Sequence, residues 1–434
     1  MNKVEPRTLS GFMELLPKDQ LKFNKLYDAI RSTYEQFGFL PLDTPIIEAS
    51  EVLLAKAGGE TEKQIYQIQR GDSNLTLRFD LTVPLAKYVA KNYGELFFPF
   101  RRYQIGKVYR GERAQKGRYR EFYQCDIDII GDGELSIIND AEIPYIIYNV
   151  FTNMGLKNFV IKINNRKLLN GFFSFLKVED KSVDIMRIID KIEKIGTANV
   201  IEELKTFDID EEIINKIIAF INTRGTNNDI ITSLESFDIT NDLYQTGLEE
   251  LKTVVDYAYA FGMSNDTLSI DLRISRGLDY YTGTVYETFL KDYRELGSIC
   301  SGGRYDNLAE YYTDRKLPGV GISIGLTRLF DKLLELNLVE DEEIEVSDAL
   351  IIPMTDNFKY IIECYNKLTS NNKRIQIFYD KRSVKSMINY AIKLNIPNVI
   401  FIGDDEVLNK TITIKNLDSY EQKTIKIENI DEEF

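Results

Sequence analysis

The stretch FRRYQIGKVYRGERAQKGRYREFYQCDIDIIG, Phe100 to Gly131, decides how the rest of the chain is read. Tyr103, Ile105, Lys107 and Tyr109 alternate with Gln104, Gly106, Val108 and Arg110, and Phe122 through Ile129 alternates again, the period of strands. Gly111, Gly117 and the polar residues between them mark a loop. The spacing predicts a long hairpin. Its charge is unusual for a chain of formal net charge −14, because Arg101, Arg102, Lys107, Arg110, Arg113, Lys116, Arg118 and Arg120 are opposed there only by Glu112. Crowded cations repel unless something anionic sits among them. A solvated basic face is the commoner meaning of a charge run. Here, however, the cations are mostly Arg, which grips phosphate in bidentate fashion. They are interleaved with Tyr103, Tyr109, Tyr119, Phe122 and Tyr123, which can stack a base, and Gln124, Asp126 and Asp128 on one strand face suit an amine or ring N–H. The hairpin reads as a nucleotide-binding element.

Composition narrows the remaining chemistry. A chain of 434 residues, 44% apolar and 28% charged, is long enough for two or three globular domains. The first residues, MNKVEPRTLSGF, carry no apolar leader, and no run reaches membrane-spanning length, so neither secretion nor a membrane partner is expected. Cys125, Cys300 and Cys364 are too few and too scattered for a disulfide framework, which fits a reducing cytoplasm. The chain contains no histidine. That excludes Ser-His and Cys-His nucleophilic schemes and makes a structural zinc site unlikely to form. Acid–base work must come from carboxylates, Lys, Tyr or the substrate.

Outward from the hairpin, Phe23, Leu26, Tyr27, Ile30, Tyr34 and Phe37 place a helix over 18–37. The segment FLPLDTPIIE, 39–48, predicts a proline-interrupted strand confined to an edge or interface. Helices are expected over 50–57, 82–93, 135–154 and 248–261, with strands at 75–79 and 159–163. Between 173 and 237, Ile185, Ile188, Ile189 and Ile192, then Ile213, Ile214, Ile217 and Ile218, predict an all-helical insertion without chemistry. After the acidic run 340–345, a β-α-β rhythm over 349–402 implies a final α/β domain with a parallel sheet.

Three further strings carry chemistry. RGLDYYTGTVYE, 276–287, combines Arg276 with Tyr280 and Tyr281, which singly read as core aromatics. SGGRYDNL, 301–308, could be no more than a turn, and GVGISIGLTRL, 319–329, has glycines that fit no dinucleotide fingerprint or P-loop and reads as a buried strand entering a helix. Together these strings resemble the class II aminoacyl-tRNA synthetases and, within them, the histidyl-tRNA synthetase family. RGER with RYREFYQCDIDIIG resembles motif 2, PLDTPIIE with Pro45 motif 1, and GISIGLTRL motif 3, while RGLDYYTGTVYE and SGGRYDNL resemble the two histidine signatures.

The resemblance spans nearly the whole chain and implies an α+β fold. An antiparallel class II sheet flanked by helices would occupy 1–172 (motifs 1 and 2) and 238–339 (histidine signatures, motif 3), with a helical insertion at 173–237 and an α/β anticodon-binding domain at 346–434. It implies a cytoplasmic homodimer that activates histidine with ATP and Mg²⁺ and transfers it to the 3′ end of tRNA(His). No metal held by dedicated protein ligands is implied. By position, Arg110 would hold the α-phosphate, with Arg276 opposite in place of a metal ion. Arg328 and Arg118 would take the β/γ-phosphates, Phe122 and Arg328 would sandwich adenine, and Glu112 would meet its amino group. Asp80, Thr82 and Gln124 would bind the substrate α-amino group, with Leu81, Tyr280 and Arg276 in the same pocket. Asp128 and Tyr281 would read the imidazole, and Gln115 would meet the tRNA acceptor end. Asp80 and Asp128 stand where other members carry Glu, one methylene longer. The alternative is an inactive paralogue serving as a regulatory subunit of ATP phosphoribosyltransferase, although such paralogues usually lack the signature arginine and the C-terminal domain.

Overall fold

The hairpin forms as the alternation predicts. Strands Phe100–Tyr109 and Glu121–Ile130 pair antiparallel from Phe100 opposite Ile130 to Tyr109 opposite Glu121. This computed structural model describes residues 3–55, 64–113, 117–274, 281–306, 309–339, 346–370, 372–430 and 434, in two units, Met1–Leu338 and Val339–Phe434.

In the first unit the hairpin lies inside an eight-stranded sheet ordered Leu40–Pro41, Phe100–Tyr109, Glu121–Ile130, Gly319–Gly325, Cys300–Tyr305, Thr284–Leu290, Phe159–Asn165 and Leu268–Ile270. Every pairing is antiparallel except those of the two edge strands. Strand alternation gives the sheet two unlike faces. Cys125, Ile127 and Ile129 are fully buried. Their neighbours Tyr103 and Tyr123, of the same parity, meet helix Pro17–Gln36, where Tyr34 also donates its hydroxyl to the Cys125 carbonyl at 3.0 Å. Gln124, Asp126 and Asp128 point to the other face. Each buried Ile there contributes about 1.5–3 kcal/mol of apolar transfer energy, and a one-residue slip of register would exchange the two sets.

Two close approaches need glycine. A Cβ on Gly321 would meet Asp128 Oδ1 at 2.3 Å, and one on Gly319 the Tyr305 ring at 2.5 Å. Glycine in this strand makes room for polar side chains to lie across the sheet.

The segment around Pro45 departs from the expected single strand: it divides into Leu40–Pro41 at the edge of the large sheet and Ile47–Ala49, which joins Ser73–Leu77 and Gln67–Arg70 in a separate three-stranded sheet. The prolines remove the donors that a continuous strand would require. The helix expected over 50–57 runs Ser50–Leu53, and residues 56–63 lie outside those described. Between strands Phe159–Asn165 and Leu268–Ile270 stand helices Ser182–Ile189, Ile192–Lys205, Glu211–Ile221 and Asn227–Ser236. They bury Ile185, Ile188, Ile189, Ile214, Ile217 and Phe220, the last stacked on Phe172 at 4.0 Å between ring centroids.

The second unit has a five-stranded sheet ordered Ile375–Ile377, Ala349–Pro353, Asn398–Ile402, Thr411–Asn416 and Gln422–Lys426. The first three strands are parallel, as the β-α-β rhythm predicts, but the last two join antiparallel. The parallel pairing implied for 349–402 is present, and the two strands beyond it extend the sheet antiparallel. No helix separates Thr411–Asn416 from Gln422–Lys426, and the short turn between them permits only a hairpin.

Candidate active site

The register of the large sheet brings residues far apart in sequence onto one surface. Gln124 faces Gly325, Asp126 faces Ser323 and Gln104, and Asp128 faces Gly321 and Arg102. Arg110 leaves the end of one strand, and Arg328 sits in the first turn of helix Leu326–Glu335, which follows Gly325 directly. Both line one cavity of about 1180 Å³.

Glu112, Arg118 and Phe122 line it with them. The Arg110 guanidinium lies 5.2 Å from the Phe122 ring centroid, and its Nε donates to the Phe79 carbonyl at 3.0 Å. Arg118 reaches Glu112 at 3.6 Å and is largely exposed, and Arg328 donates to the Leu296 carbonyl. These residues make part of the wall cationic and aromatic. Asp80, Thr82, Gln124 and Tyr281 also line the cavity. Asp80 Oδ1 accepts from the Val83 N–H at 3.1 Å, while Oδ2 has no hydrogen-bond partner in the structure. Burial pushes its carboxyl up to about 6, against the pull of that N–H and of Arg110. Gln124 donates to Ser323 Oγ at 2.8 Å, leaving its own carbonyl oxygen unpartnered. Buried acceptors without donors are costly, so this surface suits a ligand carrying N–H groups.

Two residues expected at the amino-acid end are set back from the wall. Leu81 is fully buried, and its carbonyl accepts the Leu85 N–H at 3.3 Å at the start of helix Thr82–Asn92. Asp128 lies beneath the surface, 2.5 Å from Arg102 and accepting the Tyr305 hydroxyl at 2.9 Å. Burial raises its carboxyl to about 6, Arg102 and Tyr305 opposing the rise. Arg276, Tyr280 and Gln115 lie outside the described residues.

The cations of the hairpin also divide. Arg101 is held in bidentate fashion by Glu142 at 2.8 and 3.0 Å, Arg102 pairs with Asp128, and Lys107 with Glu121 at 2.7 Å. Their counter-charges come from the protein; Lys116 lies outside the described residues, and of the seven described cations only Arg110 and Arg118 line the cavity. SGGRYDNL is likewise more structural than the string suggested. Arg304 grips the buried Asp140, and Tyr305 supports Asp128.

A further group of lining residues had no place in the sequence reading. Lys162 lies 2.8 Å from Asp271, 3.4 Å from Glu193 and 4.9 Å from the Phe289 ring centroid, and Arg273 holds Asp271 at 2.6 Å. Burial alone would push Asp271 up, yet Arg273 and Lys162 outweigh it and hold its carboxyl well below the usual range. The available signal was a lone lysine inside the apolar strand FVIKINN. Among the described residues, no group of three or more Asp, Glu or Cys side chains is arranged to hold a metal ion.

Known proteins resemble the chain over nearly its whole length. The "Histidyl-tRNA synthetase" family profile matches residues 11–329, and "Anticodon binding domain" matches 348–434. The chain is 55% identical over 426 residues to a protein of Clostridium tetani named histidine–tRNA ligase, covering 98% of this chain and 97% of that one. A solved histidyl-tRNA synthetase from Nostoc sp. PCC 7120 superposes with a TM-score of 0.89 at 38% identity, over the full length of both chains. A Bacillus halodurans structure described as an ATP phosphoribosyltransferase regulatory subunit/histidyl-tRNA synthetase has a TM-score of 0.76 at 21% identity, covering 92% of this chain and 99% of that one, a likeness of fold alone. With an arginine-lined cavity carrying unpartnered acceptors on one antiparallel sheet, and with identity sustained from end to end, the chain belongs to the histidyl-tRNA synthetase family.

Proposed function

We propose that the chain is a histidine–tRNA ligase, joining histidine to the 3′ end of tRNA(His) at the expense of ATP. The observation that carries this reading is one cavity whose wall carries Arg110, Arg118, Arg328 and Phe122 together with Asp80, Thr82, Gln124 and Tyr281. The histidine carboxylate attacks the ATP α-phosphorus, a P–O bond forms, and the bond to the β-phosphate oxygen breaks to release pyrophosphate. A terminal tRNA hydroxyl then attacks the histidyl carbonyl, and AMP leaves. The first nucleophile is already ionised, so that step needs charge stabilisation and in-line positioning more than a side-chain base. A chain without histidine is compatible with that demand.

Arg110 is assigned to the α-phosphate, with Arg276 opposite it. Arg328 and Arg118 take the outer phosphates, Phe122 and Arg328 the adenine faces, and Glu112 the adenine amino group. Mg²⁺ arrives as the ATP complex, ligated mainly by phosphate and water. Asp80, Thr82 and Gln124 take the α-ammonium, and Asp128 and Tyr281 the imidazole. One carboxylate and one phenol on a two-nitrogen ring discriminate by leaving groups unpaired when another side chain enters. Gln115 is assigned to the tRNA acceptor end.

The architecture is divided for this purpose into catalytic segments 1–172 and 238–339, a helical insertion at 173–237, and an anticodon-binding domain at 346–434. In the second unit, Tyr379, Tyr390 and Arg382 line a hollow of about 370 Å³, a composition suited to stacking bases. A homodimer formed through the motif 1 segment is supported by the exposed side chains of Leu40, Ile46 and Ile47. A cytoplasmic setting is supported by three free, buried cysteines. Pyrophosphate exchange into ATP, measured against a panel of amino acids, tests the function. Exchange that does not depend on histidine would refute it.

A further inference from the structure

We infer that Arg102 is a positioning residue for the amino-acid end of the site: its guanidinium, enclosed under the sheet surface beside Asp128, supplies the counter-charge to Asp128, Asp126 and Asp80, of which Asp80 reaches the cavity wall and can meet the N–H groups of the substrate. The inference rests on the reading that this cavity receives histidine. Arg102 is fully buried, faces Asp128 across the hairpin and lies 2.5 Å from its Oδ2, a contact of charge more than of hydrogen-bond direction. Its Nε and Nη1 have no hydrogen-bond partner in the structure, and neither do Asp126 Oδ1 and Asp80 Oδ2. A guanidinium enclosed with one close anion is expensive unless it serves several.

The groups around it can be named. The incoming strand contributes Arg102 and Gln104, the outgoing strand Asp126 and Asp128, and Gly319–Gly325 only Ser323. Tyr305 comes from the next strand, Asp80 and Arg110 from the rim, and Cys300, Cys125 and Tyr34 are neutral neighbours. Burial pushes Asp80 and Asp128 up to about 6 and Asp126 to about 7, and Arg102 pulls all three down. For Asp126 and Asp128 it is the foremost opposing influence. Without it all three carboxyls would hold protons more tightly, and Asp80 on the cavity wall would accept less well from a substrate N–H at neutral pH.

The test is the pH profile of kcat/KM for histidine in pyrophosphate exchange, whose acid limb reports groups of the free enzyme and free substrate. The substrate ring titrates identically with every variant, so differences between limbs belong to the protein. Arg102→Met should move the acid limb up by about one pH unit and raise KM for histidine about tenfold at neutral pH, leaving KM for ATP in place. Arg102→Lys, which retains the charge, should restore most of the native limb. Tyr305→Phe removes the other partner of Asp128 with little change of shape, and should move the limb in the same direction even if Arg102→Met fails to fold. A Met variant whose profile matches the native one, or a Lys variant whose limb moves although the charge is kept, would overturn the role of Arg102. Histidine-independent exchange by the native enzyme would instead overturn the reading of the cavity.

Discussion

Arg304→Met should unlock helix Ile138–Asn153 from the sheet. Arg304 donates from Nε to Asp140 at 3.0 Å, from Nη2 to the same carboxylate at 2.7 Å, and from Nη2 to the carbonyls of Leu135 and Ser136 at 3.1 and 3.2 Å. Asp140 is fully buried in the first turn of that helix. Removing the guanidinium strands a carboxylate where water cannot reach it, a loss of about 3–5 kcal/mol, whereas replacing both partners by apolar groups is often close to neutral. At about 1.4 kcal/mol per tenfold, amide exchange over 138–153 should accelerate by about two to four decades. The separately folded unit Val339–Phe434 serves as internal control, and the double variant Arg304→Met, Asp140→Leu should recover most of the protection. The pH dependence has a definite sign. Burial already raises the Asp140 carboxyl, with Arg304 pulling it back. In the single variant the folded-state value rises further above the unfolded one, so the native state binds the extra proton and its deficit shrinks as pH falls. A single variant losing less than about 1 kcal/mol, or a double variant no better than the single, would refute the reasoning.

Arg276→Ala should lower kcat for activation by about 3 kcal/mol as a lost transition-state donor, and an unchanged kcat would remove Arg276 from the chemistry. Arg328→Ala should raise KM for ATP by the equivalent of about 1.5–3 kcal/mol and leave KM for histidine in place, so equal changes in both would contradict its assignment to the phosphates. Asp271→Asn should destabilise the first unit by about 1.5–3 kcal/mol at neutral pH, read by urea unfolding. Because the folded-state carboxyl is depressed, that stabilisation is present above the unfolded value of about 3.9 and lost as pH falls through the folded value, so the variant's deficit should disappear only in strong acid.

Much of this protein is legible in its local sequence. Period-two alternation places the hairpin strands, helical spacing places Pro17–Gln36 and the helical insertion, and the β-α-β rhythm marks the second unit, because each pattern reports burial of one face of a single element. The resemblance of RGER, RYREFYQCDIDIIG and GISIGLTRL to known motifs singled out Arg110, Glu112, Arg118, Phe122, Gln124 and Arg328, which line the cavity, and Asp128, which lies beneath it. What each charge faces was decided elsewhere. Arg101, Arg102 and Lys107 read as part of one nucleotide-gripping cluster, yet Glu142, Asp128 and Glu121 neutralise them. Arg304 sits in a signature string but holds a helix, and Lys162, Asp271 and Glu193 meet only because their strands and helix converge on one wall. Sheet order and register choose the neighbours across the chain, and a buried charge takes its role from its nearest counter-charge, so those assignments belong to the tertiary structure alone.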